Sequence, residues 1–114
     1  MTWIQLPKPA EGAKSAFGKV AIRKSIDFAI VNCAAMITSS GGKVAAARIC
    51  LNAVYVTPYR AVEAEEVIVG ETVNEESAEA AAAAVVAAAR PMRHNGYMVQ
   101  IARTLVKRAI LACG

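Results

Sequence analysis

The sequence predicts an α+β fold, in which an antiparallel β-meander is followed by three α-helices packed on one face of the sheet. Two apolar runs, at residues 30–38 and 44–56, flank a Ser-Ser-Gly-Gly stretch that is typical of a hairpin turn. Beyond residue 61, helix-forming segments are separated by Gly and Pro stop signals and by an Asn that can start a helix. Because the strands come first in the chain and the helices follow, we expect a sheet that is covered on one side and not a series of alternating βα units.

The chain is long enough for one domain with a single core, spanning residues 1–114. We divide it into a lead-in strand and loop at 1–16, strands at 17–60 and helices at 61–114. Apolar residues make up 56% of the chain but aromatic residues only 5%, because alanine carries much of the count. A core built on small side chains has to be closely packed or covered by a partner.

The lead-in is predicted to contain a short edge strand. Trp3, Ile4 and Leu6 alternate with polar residues, and Pro7 and Pro9 stop the pattern because proline cannot donate to a strand ladder. The small, polar residues that follow predict a loop. This segment could supply a third strand to the sheet.

The two long strands are predicted at residues 30–38 and 44–56. Residues 23–27 are expected to form one helical turn before the first of them. The second strand should end at Thr57 and Pro58, where the backbone donor is lost.

Three helices are predicted, at residues 62–69, 75–90 and 97–112. Asn74 can cap the second helix, and Pro91 stops it. Alanines fill the interior of that helix, so it can approach a neighbour closely. The third helix carries one apolar face. In the first helix, three side chains are predicted to point to solvent: Glu63, Glu65 and Glu66.

The charges are unevenly spread along a mildly basic chain, with a net charge of +4. Residues 63–79 contain seven glutamates and no basic residue, whereas residues 90–108 contain five basic residues and no acid. This pattern predicts two solvated helix faces that attract each other. A nucleic-acid surface is not predicted, because the basic residues lack interleaved aromatics and any module signature.

The cysteines and the single histidine do not predict a metal or catalytic site. Cys33, Cys50 and Cys113 lack paired spacing, which argues against zinc, an iron–sulfur cluster or a disulfide framework and favours a reducing, cytoplasmic compartment. Cys33 and Cys50 are predicted to be buried. His94 is expected to be a solvated loop residue. No signal peptide, membrane-spanning run or nucleophile–base pair is recognisable, so the isolated chain is not predicted to be catalytic.

Lys19, Arg23 and Asp27 stand four residues apart just before the first long apolar run. Four-residue spacing brings unlike charges to one side of a helical turn, where they can pair. From the residues alone, this triplet can be a local ion-pair cluster, which contributes little to stability when exposed. The alternative is a functional site in which the lysine faces a ligand.

The pattern of an aromatic residue followed by Lys19, Arg23, Asp27 and an apolar strand resembles the start of the C-terminal domain of the flavoprotein subunits of molybdenum hydroxylases. That family includes xanthine dehydrogenase, aerobic carbon monoxide dehydrogenase and 4-hydroxybenzoyl-CoA reductase. The stretch LNAVYVTPYRA at residues 51–61 is similar to the family's second strand and its Thr-Pro-x-Arg-Ala turn. The resemblance covers residues 4–112 and implies the fold of the carbon monoxide dehydrogenase flavoprotein C-terminal domain.

The resemblance also implies a cofactor and partners. Lys19 would reach toward FAD held by preceding domains, with Arg23 and Asp27 as supports. The partners would be the FAD-binding domain, an iron–sulfur subunit and a molybdopterin subunit. FAD is expected to bind weakly or not at all to this chain alone. The family's Asp-x-Arg-Gly-Ser-x-x-Tyr-Arg stretch is poorly matched, since only Tyr97 survives.

Two functions are therefore expected as alternatives. In the first, the chain is part of an FAD-dependent, xanthine dehydrogenase-like molybdopterin oxidoreductase, where it covers the flavin and docks neighbouring subunits in electron transfer. In the second, it is a free-standing assembly module of the same fold, possible as a homo-oligomer, with no redox activity. In either case the alanine-rich helix is a candidate contact face, because small side chains allow close approach.

Overall fold

The computed structural model describes residues 1–114 and confirms the predicted α+β architecture. One four-stranded antiparallel sheet has the strand order β1-β2-β3-β4, and three helices follow it along the chain. The elements are β1 (Ala13–Val20), β2 (Val31–Ser40), β3 (Lys43–Asn52), β4 (Tyr59–Arg60), α1 (Val62–Ile68), α2 (Glu75–Ala87) and α3 (Tyr97–Ala112).

The helices cover one face of the sheet and leave the other open. Along β2, side chains alternate strictly, so that Cys33 and Ile37 are buried while Ala34 and Met36 are exposed. This is the two-residue period of a strand that is covered on one side only. Helix α3 lies against β1 and β2, α1 lies against β3, and α2 packs on the other two helices.

The core depends on small side chains that let the elements approach closely. Ala64, Ala81 and Ala82 have no exposed surface between the helices. In β1, a Cβ atom at Gly18 would lie 3.0 Å from Leu105 Cδ2, so the missing side chain allows α3 to sit tightly on the strand. Alanine and glycine therefore contribute to the core because their small size lets the helices and the sheet pack closely.

The predicted attraction between the two helix faces is present. Arg103 Nε donates to Glu79 Oε1 at 2.7 Å, and Lys107 Nζ lies 2.9 Å from Glu79 Oε2. The cap at the start of α2 is also confirmed. The Asn74 side chain accepts a hydrogen bond from the Ser77 backbone N–H, and the Ser77 hydroxyl accepts one from the Asn74 N–H.

The prediction for the first strand was wrong. Residues 1–10, including Trp3 to Leu6, form no strand and are exposed, whereas the first strand is β1, at residues 13–20. The sequence of β1 has no strong alternation of its own. It is a strand because all eight of its residues pair with β2. The expected helical turn at residues 23–27 is instead a bend within a loop.

Three element ends also differ from the predictions. Strand β3 stops at Asn52 rather than residue 56, because Ala53 adopts a left-handed backbone conformation with a φ of 66°. That conformation reverses the chain and ends the ladder. Helix α1 ends one residue early, at Ile68, and α2 ends at Ala87 rather than residue 90. No helix combines the length and the apolar content that crossing a bilayer requires.

Candidate functional site

The loop at residues 21–30, between β1 and β2, is organised around Asp27. Its carboxylate accepts hydrogen bonds from Arg23 Nε and from the Phe28 backbone N–H, each at 2.9 Å. The loop is closed at its base by Ile30 N–H, which donates to the Val20 carbonyl at 2.7 Å. The predicted four-residue pairing of Arg23 with Asp27 therefore exists, although a bend supports it and not a helical turn.

Lys19 belongs to the same cluster but contacts the backbone rather than the carboxylate. Its side chain leaves the open face of β1, and Nζ donates to the Asp27 carbonyl oxygen at 3.0 Å. An ammonium group has three donors, so the Lys19 ammonium keeps donors for a further acceptor. The structure thus brings the three sequence-predicted residues together and holds the lysine at the edge of an exposed surface.

The carboxyl of Asp27 is electrostatically tied to this cluster. The hydrogen bond from Arg23 holds the pKa of Asp27 below its ordinary value, against a smaller opposing effect of desolvation. A carboxyl group whose folded-state pKa is depressed stabilises the fold above its unfolded pKa, which is about 3.9 for aspartate. That contribution is lost as the pH falls through the lower, folded-state pKa.

We expect Arg23→Gln to raise the pKa of Asp27 toward the ordinary aspartate value, because glutamine removes the charged donor. An NMR titration of the Asp27 carboxyl carbon measures this pKa. Lys24→Gln is the matched control, since Lys24 is an exposed cation in the same loop with no ion pair. If the pKa of Asp27 is unchanged in Arg23→Gln, the hydrogen bond from Arg23 does not hold that pKa down.

Three loops meet at one end of the molecule, which we call the loop end: residues 21–30, 53–58 and 88–96. The first two lie together because β1 ends, β2 begins and β3 ends at the same edge of the sheet. The third joins them because residues from 54–59 and 85–99 line one groove. Exposed apolar side chains concentrate on these loops: Ile22, Ile26, Phe28, Val54, Tyr55, Val56 and Met92. Tyr97, the first residue of α3, is also exposed beside them. Such a concentration is typical of a surface covered by a partner or ligand.

The open face of the sheet adds an aromatic side chain beside the lysine. Phe17 is 67% exposed and stands two residues before Lys19, so both side chains project from the same face of β1. Phe17 pairs with Ala34, which pairs with Cys50, leaving a shallow apolar surface across three strands.

These residues fit the ring end of a flavin but not its pyrophosphate. An aromatic ring and an ammonium donor suit a planar heteroaromatic system that carries carbonyl oxygens. A pyrophosphate is usually cradled by a glycine-rich turn at the start of a helix. Within residues 1–114, the glycines with positive φ, such as Gly41 and Gly42, lie in turns that do not begin a helix.

Sequence reasoning missed the buried carboxylate of Glu65 and placed it in solvent. Glu65 is 6% exposed and accepts hydrogen bonds from the Ile49 N–H at 2.9 Å and from Arg60 Nη2 at 2.7 Å. The spacing of Ala61, Ala64, Glu65 and Ile68 follows a buried helix face and could have revealed it.

The thiols and the histidine have no reactive setting. Cys33 is buried as predicted, and burial raises the pKa of its thiol to about 12. Cys50 is only half-buried, which corrects the prediction, and Cys113 is buried. His94 is exposed in the third loop, as expected.

Comparison with known proteins gives consistent matches over nearly the whole chain. The family model for the CO dehydrogenase flavoprotein C-terminal domain matches residues 16–113. The carbon monoxide dehydrogenase medium chain of Afipia carboxidovorans is 35% identical over 96% of this chain and 39% of its own length. The chain therefore spans about two fifths of that relative.

Solved structures give the same result. A carbon monoxide dehydrogenase from Hydrogenophaga pseudoflava, which lacks the Mo-pyranopterin moiety of its molybdenum cofactor, is similar with a TM-score of 0.85 and 33% identity, over 95% of this chain and 39% of that one. Quinoline 2-oxidoreductase from Pseudomonas putida 86 is similar with a TM-score of 0.80 and 30% identity, over 92% of this chain and 38% of that one.

Proposed function

Because this chain belongs to the CO dehydrogenase flavoprotein C-terminal domain family, which is the C-terminal domain of the FAD-binding subunit of molybdenum hydroxylases, we propose that it covers the flavin of such an enzyme and docks neighbouring subunits. The FAD would be held mainly by a preceding FAD-binding domain. The neighbouring subunits would carry the iron–sulfur clusters and the molybdopterin, in the cytoplasm.

The observation that carries this proposal is the position of Lys19. Its ammonium is held by the Asp27 carbonyl, shares an open face with Phe17 and adjoins the apolar loop end. An isolated structural ion pair would need neither the aromatic neighbour nor the apolar surroundings. A ligand that is planar, polar at its rim and covered by apolar side chains accounts for all three.

The flavin supplies the electron-transfer chemistry when it is bound, and this chain supplies its surroundings. Lys19 would donate a hydrogen bond to a flavin oxygen, and the ammonium group would favour negative charge on the flavin ring. Arg23 and Asp27 hold the loop that carries the Lys19 contact. Apolar side chains of the loop end, such as Phe28, would exclude water.

We expect FAD uptake only when this chain is combined with a flavoprotein that lacks its own C-terminal domain. Flavin fluorescence during a titration, with the chain alone and with the partner, measures the uptake. Lys19→Ala should weaken uptake by about tenfold, the equivalent of one charge-assisted hydrogen bond. Lys24→Ala, in the loop that follows β1, should leave uptake unchanged.

The same Lys19→Ala variant should fold normally. Lys19 is exposed, and substitutions at such positions usually change stability by less than about 0.5 kcal/mol. Thermal unfolding of both lysine variants checks this. A large loss of stability in Lys19→Ala alone would make the residue structural and overturn its assignment to the cofactor.

The alternative function is an assembly module without redox activity. The exposed apolar side chains of the loop end favour it equally, since a second copy could also cover them. Absence of flavin uptake with any partner, together with a stable homo-oligomer by light scattering, would support this alternative.

A further inference from the structure

An apolar groove opens at the loop end, away from Lys19. It lies between the β3–β4 connection and the α2–α3 connection and has a volume of about 360 Å³. Eleven of its 14 lining residues are hydrophobic, which makes it a site for an apolar occupant. Its walls include Tyr55 and Tyr59 on one side and Val86, Pro91 and Met98 on the other.

One polar atom in the lining has no partner in the chain. Asn95 Oδ1 is shielded from solvent and makes no hydrogen bond, although Asn95 lines the groove. Buried carbonyl oxygens are nearly always hydrogen-bonded, so Asn95 Oδ1 is an acceptor without a donor beside an apolar groove. Because this oxygen is shielded from solvent, a donor in the groove reaches it only when the Asn95 side chain turns toward the groove. The occupant would therefore be apolar but carry an N–H or O–H group.

The charge around the groove is positive. Arg90 lines it, no carboxylate does, and Arg93 is exposed in the same connection. Neither arginine takes part in an ion pair. Glu63, beside Tyr59, does not line the groove: its Oε1 accepts from the Tyr59 hydroxyl at 2.7 Å, and its Oε2 is buried without a hydrogen-bond partner. The unpaired basic rim complements an acidic partner.

We propose that this groove receives a peptide segment of a neighbouring subunit, in which a tryptophan or tyrosine is flanked by acidic residues. The aromatic ring would fill the groove, and the acids would meet Arg90 and Arg93. With the Asn95 side chain turned toward the groove, the N–H or O–H of the ring would donate to Asn95 Oδ1. Tyr55 and Met92 on the loops that form the groove, and Tyr97 at the start of α3, stand exposed and extend the contact. This inference rests on the docking part of the proposed function. It names the groove as the docking site and an acidic, aromatic peptide as the partner.

A short synthetic peptide tests the recognition directly. The probe is Glu-Trp-Leu-Glu with blocked ends, and its matched control is Lys-Trp-Leu-Lys. Titration of the ¹⁵N-labelled chain should shift the amide signals of Asn95, Met98 and Val86, with millimolar affinity for the acidic peptide. Two rim charges at a few tenths of a kcal/mol to 1 kcal/mol each predict binding about fivefold or more tighter for the acidic peptide than for the basic one.

Two variants separate the groove from a general effect. Ala89→Leu places bulk in the groove and should abolish the shifts, whereas Ala87→Leu, on the same exposed stretch but outside the lining, should not. Asn95→Leu removes the orphaned oxygen and should raise the Tm of the free chain by a few degrees. It should also abolish the preference for tryptophan over naphthylalanine, which has no N–H.

Three outcomes would overturn the proposal. Equal affinity for the acidic and the basic peptide would show that the groove does not select an acidic partner. Free indole binding as tightly as the acidic peptide would make the groove a small-molecule site. Groove shifts that appear on raising the concentration of the chain alone would make a second copy the occupant. The titration contains no FAD, so its failure leaves the flavin proposal standing.

Discussion

Replacing Glu65 by alanine is expected to lower the free energy of unfolding by about 3 kcal/mol, because the change leaves the buried Ile49 N–H without its side-chain acceptor and removes the Arg60 ion pair. The Ile49 N–H, in the central part of β3, would lose its only side-chain acceptor, and Arg60 would lose a bidentate contact. The guanidinium groups of Arg60 and Arg48 are more than half exposed and can turn to water. This places the loss at the low end of the range for buried ion pairs. Urea unfolding measures it.

Glu66→Ala is the matched control, since Glu66 is the adjacent, exposed glutamate on the same helix. Its free energy of unfolding should change by less than about 0.5 kcal/mol. Glu65→Gln should fall between the two, because the amide oxygen can still accept from Ile49. Equal stability of the Glu65→Ala and Glu66→Ala variants would show that the buried carboxylate does not hold α1 to the sheet.

The contribution of Glu65 should also depend on pH. Burial alone would raise the pKa of Glu65, but the hydrogen bonds from Arg60 and Ile49 outweigh it and leave the pKa below its ordinary value. The stabilisation is therefore complete above the unfolded pKa of about 4.3 and is lost as the pH falls through the lower, folded pKa. The stability difference between wild type and Glu65→Ala should shrink over that acidic window and stay constant at neutral pH.

Replacing Ala82 by leucine is expected to destabilise the chain by about 3 kcal/mol, through overpacking. Ala82 has no exposed surface, and α2 packs on both α1 and α3. Extra methylene groups there must push the helices apart or force strained rotamers. Thermal and urea unfolding of the variant measure the effect.

Ala80→Leu is the control for the second substitution, because Ala80 is exposed on the same helix. Alanine and leucine have similar helix propensities, so this change should cost a few tenths of a kcal/mol at most. If the two leucine variants were equally stable, the alanines would not set the spacing of the helices. The alanine-rich segment would then be a solvent-facing surface instead of a core element.

The two proposed contacts share one end of the molecule but not one surface. Lys19 and Phe17 lie on the open face of the sheet, whereas Asn95 and Tyr59 line the groove on the helical side. A domain that covers a cofactor and also binds a neighbouring subunit, as we propose, would use two such contacts. The variants at Lys19 and Ala89 test them independently.

Local signals in the sequence determined the elements that are stabilised within themselves. The bounds of α3 at Tyr97–Ala112, the cap at Asn74 and the hairpin between β2 and β3 follow from periodicity, a side-chain acceptor and two glycines. The four-residue spacing of Arg23 and Asp27 also predicted their pairing. Each of these features depends on residues that are close in the chain, so it can be predicted from the sequence alone.

Only the tertiary structure decided the features that depend on distant partners. Strand β1 exists because β2 pairs with it, and Glu65 is buried because Ile49 and Arg60 satisfy its carboxylate. The loop end is an assembly of three loops that lie far apart in the sequence. In the sequence, a buried glutamate and an exposed glutamate are written identically. What separates them is the set of donors that the folded chain brings within hydrogen-bonding distance.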